Sequence, residues 1–105
     1  MSRYNVEHKG KWACFSTISD SFITEFVDKE IYEAWRKEEY GRAGYSPLDE
    51  RGVNIMSIEE AVHSISLNRT YTETVEVLIE TGIDEKEASE LAKNYGDNSF
   101  REAHS

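Results

Sequence analysis

Tyr4-Asn5-Val6-Glu7-His8-Lys9-Gly10-Lys11-Trp12-Ala13-Cys14-Phe15-Ser16-Thr17 is the stretch that decides the fold class. It alternates, is rich in aromatic and small residues, and carries a glycine in its middle able to supply the positive φ of a tight turn. It reads as a two-stranded hairpin. Turns centred on Lys9-Gly10 and on Gly10-Lys11 both fit, and they differ in the residues placed opposite Trp12 and Cys14. A third short strand is expected around Phe22 to Phe26. A hairpin alone is marginal in water, so this one must pack on a helix.

The next segment supplies that helix. Asp28 can cap a helix running to Tyr40, Gly41 suits its C-terminal stop, and Ile31, Ala34 and Trp35 form the expected apolar face. Glu33 and Lys37 are a favourable i,i+4 pair on the other side. From Gly41 to Asn54 the residues Gly44, Ser46-Pro47 and Gly52 mark a loop, long for a compact domain. Beyond it, Ser57-x-x-Glu60, Thr70-x-x-Glu73 and Asp84-x-x-Glu87 are three capping-box starts. Each is followed by apolar residues at helical spacing: Ile58, Ala61, Val62, Ile65; Tyr71, Val75, Leu78, Ile79; Ala88, Leu91, Ala92, Tyr95. Gly82 and Gly96 stop the last two helices. Helices this short need tertiary packing to persist. The expected architecture is a single α+β domain: hairpin or small antiparallel sheet plus helix over 1–41, loop over 42–56, acidic helical part over 57–97 and tail over 98–105.

Composition narrows the class. The chain has 105 residues, 38% of them hydrophobic and 11% aromatic, with one proline, which suits one folded domain with one modest core. Its single cysteine, Cys14, lies in an apolar run and excludes an intrachain disulfide, so a reducing compartment and a buried structural role are expected. No basic start followed by an apolar core opens the chain and no apolar run approaches a bilayer span, so the expected location is the cytoplasm, with no membrane partner. Asn68-Arg69-Thr70 matches a glycosylation sequon without the export signal that would make it one.

The net charge is −9, and the segment from Ser57 to Asp97, with ten acids against three bases, carries −7 of it. Such an excess repels nucleic acid and anionic lipid and attracts basic protein surfaces. Glu73, Glu76 and Glu80 fall on one side of a single helix with no lysine between them, and Asp84, Glu87 and Glu90 follow on the next. These six are the expected partner-binding residues. Catalytic signals are absent: Cys14 lacks an evident base, and no Gly-x-Ser-x-Gly elbow, phosphate loop or Cys-x-x-Cys pair occurs. Glu60-x-x-His63 has the spacing of a metal-binding pair in carboxylate-bridged iron bundles but lacks the second copy and further glutamates such a site requires. No cofactor or metal is expected, and a metal-dependent enzyme ranks third among the readings.

One local resemblance bears on the second reading. Leu78-Ile79-Glu80-Thr81-Gly82-Ile83, followed by Asp84 to Tyr95 and Gly96-Asp97-Asn98, resembles the first two helices of a ubiquitin-associated domain, with Thr81 and Ile83 in place of a Met-Gly-Phe-type turn. It implies a helical adaptor binding a peptide or ubiquitin-like partner through the Gly82 turn. A DNA reader with the same helix spacing would need a basic recognition helix, and Asp84 to Tyr95 has an excess of acids. In composition alone the chain is similar to the nucleic-acid-mimicking inhibitors of phages and mobile elements, such as anti-restriction and anti-CRISPR proteins. The leading expectation is therefore a non-enzymatic regulator or inhibitor that occludes a basic, nucleic-acid-binding surface of a partner protein without binding nucleic acid itself. The oligomeric state stays open.

Overall fold

Lys9 and Gly10 both adopt positive φ, 53° and 79°, the combination that a two-residue hairpin turn requires. The turn is therefore centred on Lys9-Gly10, and it joins β1 (Arg3–His8) to β2 (Lys11–Ser16) with Val6 opposite Ala13 and Asn5 opposite Cys14. Glycine at the second turn position avoids the cost a side chain pays in the left-handed region. The computed structural model describes residues 3–44, 48 and 53–96; the expected tail over 98–105 and residues 45–47 and 49–52 of the expected loop lie outside them.

Two further short strands, β3 (Ser21–Phe22) and β4 (Val27–Asp28), pair antiparallel with opposite ends of β2. The single expected strand over Phe22 to Phe26 is thus split. In the gap the Ile23 amide donates to the Cys14 carbonyl at 2.7 Å, whereas the Cys14 amide donates to the Thr24 hydroxyl at 3.0 Å, so a side chain takes the place of a ladder carbonyl. Sides still alternate along the segment: Phe22 and Phe26 pack against the core while Ile23 and Glu25 are exposed.

α1 (Lys29–Gly44) follows; Gly41 (φ 68°, ψ 177°), the expected stop, breaks it without ending it, and residues 42–44, expected in the loop, are helical. β5 (Ile55–Met56) then adds to β1 in parallel, with Asn5 opposite Ile55 and Val6 opposite Met56. The sheet is therefore mixed, in the order β3-β2-β1-β5 with β4 beside β2, and residues 55 and 56, expected in the loop, belong to it. The three capped starts each open a helix: α2 (Ile58–Ser66), α3 (Tyr71–Glu80) and α4 (Glu85–Tyr95), capped by Ser57, Thr70 and Asp84.

Helices cover both faces of the sheet. Val6 and Phe15 turn to one face, where α2, α3 and α4 pack on them through Ile58, Ala61, Val62, Ile65, Leu78, Ala88 and Leu91, with Ile83 from the turn between α3 and α4. The three helices all touch one another, so the third member of the helical group is α2, which precedes the pair likened to a ubiquitin-associated domain. Gly96 closes this group by proximity, since a Cβ there would meet the Ala92 carbonyl oxygen at 2.5 Å with Ser66 close behind.

On the other face Cys14, Tyr32 and Leu48 form a second cluster with Trp12, Val27, Trp35 and Val53. Here the expected helix face needs correction. Tyr32 and Arg36 point inward, 1% and 5% exposed, whereas Ile31 is 58% exposed, Ala34 is exposed and Trp35 half-buried. Tyr32 stacks between Trp12 and Trp35, and its hydroxyl donates to Asn5 Oδ1, whose own amide donates to the Asn54 carbonyl at 2.9 Å. Arg36 is tolerated there because Nη1 binds Glu33 Oε1 at 2.9 Å and the guanidinium lies 5.7 Å from the Tyr40 ring centre. Burial pushes both the Cys14 thiol and the Tyr32 hydroxyl up from their ordinary pKa values. The thiol therefore stays protonated, which agrees with a structural cysteine.

Candidate functional site

The six acidic residues singled out in the sequence divide by what they touch. Glu73 completes the only full capping box among the described residues: its amide donates to Thr70 Oγ1 at 3.2 Å and its carboxylate accepts from the Thr70 amide at 2.9 Å. That backbone bond is the main cause of a Glu73 pKa below the usual carboxylate range. Asp84 caps α4 by accepting from the Lys86 amide at 3.1 Å. Glu87, the expected reciprocal partner in that cap, points instead at the hairpin turn, 2.5 Å from Lys9 Nζ and 3.0 Å from His8 Nε2. These three acids hold the fold.

The other three are on the surface. Glu76 and Glu80 stand one turn apart on the outer face of α3 with Ile79, 40% exposed, beside them, and Glu90 is exposed on α4. Among the described residues no cation bonds Glu76, Glu80 or Glu90. The expected triplet Glu73, Glu76 and Glu80 does share one side of α3, but its first member is committed to the cap.

Glu80 also borders a cleft the sequence reading missed. Between the Ser21–Glu25 segment and α3 lies a cavity of about 370 Å³ lined by Phe22, Ile23, Thr24, Glu25, Val77, Glu80, Thr81 and Arg69. The cleft exists because the third strand is interrupted there. Arg69 shapes one end by donating to the carbonyls of Asp20 at 2.8 Å, Ile65 at 3.1 Å and Ser19 at 3.4 Å, which ties the β2–β3 turn to the end of α2. At the other end the Phe26 amide donates to the Thr81 carbonyl at 2.9 Å. The result is a cleft of mixed polarity, with Phe22, Ile23 and Val77 among its lining and the exposed carboxylates of Glu25 and Glu80 at its margin. An aliphatic stem ending in a cation, such as lysine or arginine, matches that chemistry.

The alternative features have internal duties. Thr81 and Ile83 at the Gly82 turn are buried, the Thr81 hydroxyl donating to the Leu78 carbonyl at 2.6 Å and Ile83 entering the core cluster, so only Gly82 faces outward. His63 Nδ1 lies 3.3 Å from the Tyr95 carbonyl, joining α2 to the last turn of α4. Among the described residues no group of three or more His, Cys, Asp or Glu side chains could hold a metal ion, and no helix is long and apolar enough to cross a membrane. Comparison with protein families, characterised proteins and solved structures finds no match to this chain.

The Glu87 bridge gives a pH expectation. The hydrogen bond from Lys9, then the proximity of His8, lowers the Glu87 pKa below the ordinary carboxylate value, which the unfolded chain retains. A depressed folded-state pKa contributes stability above the unfolded value and loses it as pH falls through the folded one. The stability difference between wild type and Glu87→Gln, measured by urea unfolding, should be present at neutral pH and shrink toward zero as pH falls below about 4. A difference that stays constant across that range would show that the bridge is not what Glu87 contributes.

Proposed function

We propose that this chain is a non-enzymatic binding protein whose acidic α3 face, with the adjoining cleft, docks on a basic surface of a partner protein. One observation carries the reading: Glu76 and Glu80 are exposed beside Ile79, Glu80 also at the margin of the cleft, with no cation of the described residues bonded to them, while Glu73, Asp84 and Glu87 are used internally. An exposed apolar side chain flanked by charges, as Ile79 is by Glu76 and Glu80, is a common element of a protein interface. Basic surfaces that hold nucleic acid are the natural targets of such a face, so the chain acts as a regulator or inhibitor that occludes one, in the manner of anti-restriction or anti-CRISPR proteins, within the cytoplasm. A partner bound through the Gly82 turn would find no apolar side chain there, because those beside Gly82 are turned inward.

The structure changes which residues test this. Glu73→Lys would break a cap, so the informative variant is Glu76→Lys/Glu80→Lys/Glu90→Lys, three exposed positions where glutamate and lysine have similar helix propensity. A basic partner isolated with the wild-type chain would be titrated with both proteins at two salt concentrations, together with its nucleic acid as competitor. Association of the variant should slow by about tenfold to a hundredfold, and the wild-type rate should fall steeply with salt. The wild type should also displace the nucleic acid. Equal affinities of the two proteins at both salt concentrations would remove this face from the mechanism.

A further inference from the structure

β3 leaves an open sheet edge along the cleft. Ser21 and Phe22 pair with β2, and the Ile23 amide donates to the Cys14 carbonyl, so Ile23 turns its backbone toward β2. Neighbouring residues of a strand turn their backbone groups to opposite edges, and Phe22 therefore turns its N–H and C=O away from β2. The chain itself closes both ends of this outer edge. Arg69 holds the Ser19 and Asp20 carbonyls at one end, and at the other the Phe26 amide donates to the Thr81 carbonyl. Between these ties the backbone N–H and C=O groups of Phe22, Thr24 and Glu25 make no hydrogen bond among the described residues. The cavity beside α3 follows the same stretch, with Phe22 on one wall and Val77 and Glu80 on the other.

An unpaired strand edge is a template for one more strand, which an extended peptide can supply. We propose that this edge receives an extended segment of the partner protein as an added antiparallel strand, with a lysine or arginine at the position opposite Phe22. The proposal names the part of the partner that enters the cleft, and so rests on the docking reading above. In an antiparallel pair, the more stable arrangement, the residue opposite Phe22 exchanges both backbone hydrogen bonds with it. Side chains of opposed residues share a face of the sheet, so this one lies on the α3 side, as Phe22 does. Val77 and Glu80, three residues apart, stand on neighbouring turns of α3. An aliphatic stem along Val77 therefore brings its cation to Glu80, with Glu25 as a second carboxylate at the margin. No cation of the described residues bonds either acid. Backbone bonds supply the affinity, and the charge selects the residue and the register. With β3 only two residues long and α3 as a wall, the edge admits one short segment and resists open-ended pairing.

The probe is a capped seven-residue peptide of alternating threonine and valine around a central lysine, titrated to about 1 mM into the full chain and followed by amide NMR. On binding, the Phe22 amide should shift and gain protection from hydrogen exchange. Methylating the backbone nitrogen of the central lysine removes the donor to the Phe22 carbonyl and should weaken binding by about tenfold. The same change on the next residue, whose amide points away from the edge, should alter binding by less than about twofold. Norleucine in place of the lysine, or Glu80→Gln in the protein, should weaken binding by about threefold and flatten its salt dependence. Absence of binding at about 1 mM, or equal sensitivity to methylation at the two nitrogens, would overturn the proposal. So would protection of Phe22 in the peptide-free protein as its concentration rises, which would assign the edge to a second copy. Peptides that fail beside a partner that still discriminates wild type from Glu76→Lys/Glu80→Lys/Glu90→Lys would overturn the added strand and leave the docking face standing. Peptides that bind as described beside a partner that does not discriminate would support the added strand and remove the docking face.

Discussion

Replacing Tyr32 by alanine should lower the unfolding free energy by about 3–5 kcal/mol, the range for removing a buried aromatic ring. Three losses add at this position. The ring is 1% exposed at the centre of the second core cluster, it stacks against Trp12 and Trp35 at centroid distances of 6.2 and 5.7 Å, and its hydroxyl serves Asn5 Oδ1. Since a domain of this size has about 5–15 kcal/mol in total, the variant should be barely folded or unfolded at 37 °C. Tyr32→Phe separates the terms. It keeps the stack and leaves Asn5 Oδ1 without that donor, for a cost of about 1–3 kcal/mol. Urea unfolding followed by far-ultraviolet circular dichroism should place the alanine midpoint about 2 M below wild type and the phenylalanine midpoint between them. Coincident midpoints for the two variants would assign the whole effect to the hydrogen bond and none to packing. Loss of Trp35 should cost less than loss of Tyr32, because Trp35 is half-buried at the edge of the same stack.

That ordering was not legible in the sequence, and the reason is physical. Sorting residues by hydrophobicity puts Ile31 and Ala34 inward on α1. The actual inward face carries Tyr32, which satisfies a buried asparagine, and Arg36, which is compensated by Glu33. Local hydrophobicity cannot register a polar group whose partner comes from another element. The same limit explains β5, whose two residues gain their identity only from parallel pairing with β1. What could be read ahead was local chemistry: a glycine in a hairpin turn, the positive φ at Gly41 that breaks α1, and three N-cap side chains that each accept a backbone amide.

The candidate site shows the division again. Thr70-x-x-Glu73 announced a capping box, and once it forms, Glu73 is no longer a free surface acid. No pattern in the sequence joins Glu87 to His8 and Lys9, because only the packing of α4 under the hairpin brings them together. The cleft beside Glu80 follows from a strand that stops and restarts around Thr24, a departure that regular alternation conceals.

The second large effect separates neighbouring residues on α3. Leu78 is fully buried among the residues that join α2, α3 and α4 to the sheet, whereas Ile79 is 40% exposed on the acidic side. Leu78→Ala should therefore cost about 2–5 kcal/mol, the transfer term plus the cavity it leaves, and lower the melting temperature by more than about 10 °C. Ile79→Ala removes side-chain atoms of similar size from a partly solvated position and should cost at most about 1 kcal/mol. Thermal melts of the two variants would check the contrast directly, and equal losses would mean that α3 does not present Glu76, Ile79 and Glu80 outward at all. With the contrast confirmed, Ile79→Ala becomes the apolar counterpart of the lysine variants. It should weaken partner binding chiefly through faster dissociation, with the salt dependence of association unchanged, because an apolar contact acts after the charges have steered the encounter. Dissociation equal to wild type would confine the docking energy to the cleft and its carboxylates.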